Sequence, residues 1–158
     1  MWSRVFGTND AEPDPQGFTD ILRSYRTEAL VRTEKDAQGW FKATVTAPDG
    51  TPLLQTDRYL VEEEGIRSEL NSWAAWLETQ DGANQERLML HMIRTSQLFV
   101  LGQADNVRSS ETDGMAVALC RFLARKTEGV YQVDGMGFFD RDGSCLMEEK
   151  SRISPENG

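Results

Sequence analysis

Between Ser110 and Met147 the hydrophobic pattern changes period within a few residues of one glycine, and this limits the fold more than any other stretch. Ser109-Ser110-Glu111-Thr112-Asp113 offers hydroxyls that can cap a helix, followed by acids that suit the positive end of its dipole. Met115, Leu119, Phe122 and Leu123 then recur at helical spacing, and Arg125 and Lys126 suit the far end. Gly129 suits the residue just past a helix. Val130-Tyr131-Gln132-Val133 is β-branched and aromatic, so the period becomes that of a strand. Asp134-Gly135-Met136-Gly137 is turn chemistry, Phe138-Phe139 opens a return strand, and Asp142-Gly143 turns the chain again before Cys145-Leu146-Met147.

The same reasoning extends upstream. Phe18, Ile21, Leu22 and Tyr25 predict a short helix. Residues 28–35, 40–46 and 53–61 read as three strands of an antiparallel meander, with Phe41, Ala43 and Val45 sharing one face of the second. Residues 62–79 read as an amphipathic helix led by three glutamates. Residues 85–95 are apolar almost all round and predict a buried helix, with a strand as the alternative, and 97–101 read as a strand. The fold class is therefore α+β: one domain, with mainly antiparallel sheet (a three-strand meander plus a C-terminal hairpin) and about four helices on one side. Residues 1–16 are expected to form a flexible N-terminal arm, in which Trp2, Val5 and Phe6 either pack on the domain or form a loose terminus. Residues 17–149 form the domain, and 150–158 a polar tail.

A net charge of -9 disfavours phosphate backbones and anionic membranes as partners. No window reaches transmembrane length and no signal peptide is visible, so cytoplasmic residence with reduced thiols is expected. In size, acidity and its helix-plus-meander start, the chain resembles small acidic bacterial chaperones and related binding modules. That likeness of composition and topology assigns no residue a role.

Chemistry finds little support. His91 is the only histidine and lies among core-type residues, while Cys120 shares the apolar face of a helix. A Cys/His enzyme using Cys120 or Cys145 with His91 is one alternative, and a small-ligand sensing pocket between sheet and helices is another. One histidine and two scattered cysteines make no zinc pattern. Asp140-x-Asp142-Gly143 is only a fragment of a calcium loop, and there is no P-loop or dinucleotide fingerprint. No metal or cofactor is therefore expected. What remains is aromatic surface for a protein partner or for self-association as a homodimer. The expected contact residues are Trp40, Trp76, Tyr131 and Phe138, and a Phe138→Ser variant is expected to stay folded and lose association.

Overall fold

The computed structural model describes residues 1–26 and 28–149. Eight strands form a single antiparallel sheet. They are β1 (Trp2–Gly7), β2 (Leu30–Asp36), β3 (Gly39–Thr46), β4 (Pro52–Leu60), β5 (Gln97–Gln103), β6 (Val130–Val133), β7 (Gly137–Asp140) and β8 (Cys145–Glu148). The spatial order is β2-β3-β4-β5-β1-β6-β7-β8. The helices are α1 (Pro15–Leu22), α2 (Ile66–Glu78), α3 (Gln85–Arg94) and α4 (Ser110–Lys126), with a 3-10 turn at Asp105–Val107. The expected α+β class is therefore observed, with more strands than anticipated. The polar tail expected at 150–158 lies outside the described residues.

The N-terminal segment overturns its expectation as an arm. β1 is an interior strand, antiparallel to β5 on one side and to β6 on the other. Its neighbours Val5 and Phe6 are both fully buried because both faces of the sheet are covered there. Val5 joins a cluster with Phe18, Trp40, Phe99, Leu119 and Tyr131, roofed by α1 and α4. Phe6 joins a second cluster with Leu70, Trp73, Leu88, Leu98 and Phe138, roofed by α2 and α3. Helices thus lie on both sides of the sheet, which corrects the one-sided arrangement expected from the meander.

Local chemistry explains the elements. Asp14 caps α1 through its bond to the Gln16 amide, with Pro15 next in line where a missing N–H costs nothing. Ser109 and Thr112 close a reciprocal capping box on α4. Two positions depart from the sequence pattern. The left-handed residue that ends α4 is Glu128, not Gly129. A Cβ on Gly129 would lie 2.6 Å from the Phe6 carbonyl oxygen, so glycine is needed there for the close approach of β1. The three glutamates at 62–64 precede α2 rather than open it. They lie in a turn, where the Glu63 carboxylate accepts from the Leu60 amide at 2.5 Å.

Candidate functional site

The four residues singled out by sequence do not form a patch. Trp40 is 1% exposed, its indole donates to the Pro13 carbonyl at 2.7 Å, and its ring meets Phe18 edge-on. Tyr131 is buried against Phe139, with its hydroxyl accepting from Arg121 at 3.1 Å. Phe138 is buried on the opposite face, enclosed by Phe6, Trp73 and Trp76. Trp76 alone is partly exposed. Two of the four belong to one core and Phe138 to the other, so no single partner could touch them together. Adjacent aromatics point to opposite faces, as the pleat requires. Here both faces are roofed, so Phe138 is core on one side and Phe139 packs, partly buried, against the cluster on the other.

The surface left bare lies elsewhere. The cluster under α2 and α3 takes residues from β1, β5, β6 and β7 and none from β2, β3 or β4. Leu98 and Val100 of β5 belong to that side and pair with Tyr59 and Asp57 of β4, so Gln55, Asp57 and Tyr59 share the uncovered face. Thr44 and Lys42 of β3 lie opposite Gln55 and Asp57 and extend it. Trp2 stands 52% exposed at its inner border. Its ring rests on Gly102, where a Cβ would come within 2.4 Å of it.

Two clefts open on this face and share Asp57. The smaller, about 250 Å³, is walled by Trp2, Pro52, Leu53 and Gly102. The larger, about 480 Å³, lies where β3 and β4 part company. Their pairing stops at Lys42 and Asp57. Beyond it the buried Arg58 guanidinium fills the gap, donating to the carbonyls of Gln38 and Trp40 at 3.1 and 3.0 Å and to the Gln97 side chain at 2.8 Å. Phe41 has no partner across the sheet, because the register with β2 slips at Glu34/Lys35. This β-bulge breaks the alternation expected of Phe41, Ala43 and Val45, which corrects that reading. Ala43 and Val45 are buried with Trp40, while Phe41 is 37% exposed and lines the larger cleft.

The larger cleft is rimmed by carboxylates. Asp36 accepts from the Gln38 amide, Asp57 from the Gln55 side chain, and Glu63 from the Leu60 amide. None of the three forms an ion pair among the described residues. Lys42 turns its ammonium toward Glu34, at 3.9 Å. Burial, and then the charges of Asp57 and Glu63, push the Tyr59 hydroxyl above its ordinary value.

Of the residues considered for chemistry, Cys120 and His91 make structural contacts and Cys145 does not. Cys120 is fully buried, and burial pushes its thiol up to about 12, so it is not a thiolate near neutral pH. Cys145 is exposed on the outermost strand. The His91 Nε2 lies 2.8 Å from the Phe6 carbonyl oxygen and ties α3 to β1. Among the described residues, no group of three His, Cys, Asp or Glu side chains could hold a metal ion, and no helix is long and apolar enough to cross a membrane.

Fold and site together define a single-sheet α+β domain roofed on one face and half-roofed on the other. In comparisons with known proteins, no family model, no curated protein and no solved structure matches this chain.

Proposed function

We propose that this protein is a non-catalytic binding module whose contact surface is the bare β2–β3–β4 half of the sheet. The supporting observation is that this half-face carries Phe41 and Tyr59, with Trp2 of β1 at its border, around two clefts that share Asp57, with no part of the α2–α3 core above it. Aromatic side chains with a polar end give large contact area at low entropy cost, and they dominate binding energy where they occur. The role proposed is the one expected from the sequence, carried by different residues.

The test compares two surface variants of the full chain. Trp2→Ala/Tyr59→Ser alters the bare face. Leu90→Ser/Ile93→Ser alters the exposed apolar pair on α3, at 43% and 56% exposure. A partner captured by the wild type and by the α3 variant should bind the sheet variant at least about tenfold more weakly. Light scattering then shows whether that partner is a second copy of the chain. Retention by the sheet variant, or loss by the α3 variant alone, overturns the reading.

A further inference from the structure

Building on that reading, we infer that the occupant of the bare face is an extended peptide segment with a basic side chain and an apolar side chain about four residues apart, the base entering the larger cleft and the apolar group the smaller. Charge complementarity argues for the base. Asp36, Asp57 and Glu63 rim the larger cleft with no ion pair among the described residues. Lys42 and Arg58 also line this cleft. Lys42 turns toward Glu34, and the buried Arg58 charge offsets part of that of Asp36 and Glu63, which leaves the three carboxylates in excess over two cations. Phe41 and Tyr59 supply ring faces, against which a guanidinium or ammonium is further stabilised. The whole molecule, at net charge -9, draws cationic partners over longer range.

The apolar requirement comes from the other end. Trp2, Pro52 and Leu53 wall the smaller cleft, which carries one carboxylate, Asp57, on the side it shares with its neighbour. The spacing follows from register. Tyr59 and Gln55 lie four residues apart on β4, and Gln55 pairs with Gly102, the seat of Trp2. In extended chain that separation is about 13 Å, and residues i and i+4 project to the same side, so one segment can fill both clefts.

The experiment uses a displayed library of random peptides, each long enough to span both clefts, selected on the intact protein. Selected peptides should carry Arg or Lys four positions from an aliphatic or aromatic residue. They should bind the wild type at least about tenfold more tightly than Asp36→Asn/Asp57→Asn/Glu63→Gln, a variant that removes charge and keeps the hydrogen-bond acceptors. Their affinity should also fall as salt rises. If the triple variant does not melt like the wild type, Asp57→Asn alone carries the comparison, because Asp57 borders both clefts. Recovery of acidic or uncharged peptides, equal binding to the charge-removed protein, or no enrichment overturns the inference. Peptides without a base that are still lost by Trp2→Ala/Tyr59→Ser would leave the binding-module reading in place and remove this one. Peptides indifferent to both sets of substitutions would remove both.

Discussion

At the scale of single residues, Phe138 shows how a side chain changes role once both faces of a sheet are known. It touches the rings of Phe6, Trp73 and Trp76 and is 2% exposed. Truncation to alanine should cost about 3–5 kcal/mol, since it removes buried area and leaves a cavity in a packed core. Urea unfolding should show this as a lower midpoint, and a change below about 1 kcal/mol would show that the site repacks. His91 gives a second residue-level expectation. Burial pulls its pKa below the ordinary 6.5, with the charges of Arg141 and Arg87 adding and the Phe6 carbonyl and Asp140 opposing. Above pH 6.5 the ring is neutral folded and unfolded, so it contributes no pH dependence. As pH falls through 6.5 the unfolded chain takes up the proton first, and stability drops until the folded ring is protonated too. Stability of His91→Gln, measured between neutral pH and the onset of carboxylate titration, should vary less with pH than that of the wild type. An unchanged slope would assign the loss to other groups.

At the scale of elements, what could be read from sequence were the segments with a long period and clear ends. All four helices are expected from apolar spacing, and Ser109 also marks the start of α4, whereas Asp14-Pro15, which opens α1, lies inside the arm expected over residues 1–16. α3 is a helix, but Leu90 and Ile93 face outward, because a run that is apolar all round does not reveal which side is covered. β1 could not be read. Its six residues hold a charge at Arg4 and, buried on both faces, show no clean alternation of apolar and polar side chains. Its identity comes from partners far away, since Val5 lies opposite both Phe99 and Tyr131 and Arg4 bonds to Gln132 and Asp134. Deleting residues 1–8 should therefore abolish the cooperative thermal transition. A truncated chain that melts like the full one would return this segment to the status of an arm.

At the scale of the whole molecule, the candidate site depends on how four helices are shared out over eight strands. α1 and α4 roof one face across β1, β3, β4, β5 and β6, while α2 and α3 roof only part of the other. Trp2 and Tyr59 come to share one face of the sheet because the strands that bear them flank β5, a fact of topology with no local signature. Gly102 was the nearest thing to a clue, because a glycine at the end of an apolar strand often marks a close approach by another group. The central position of β1 also has a consequence for synthesis. β1 leaves the ribosome before both strands that flank it, 97–103 and 130–133, and can settle only after they have been made. Until then Trp2, Val5 and Phe6 travel unpaired, and the sheet closes from its two sides toward a gap that a strand made earlier fills last.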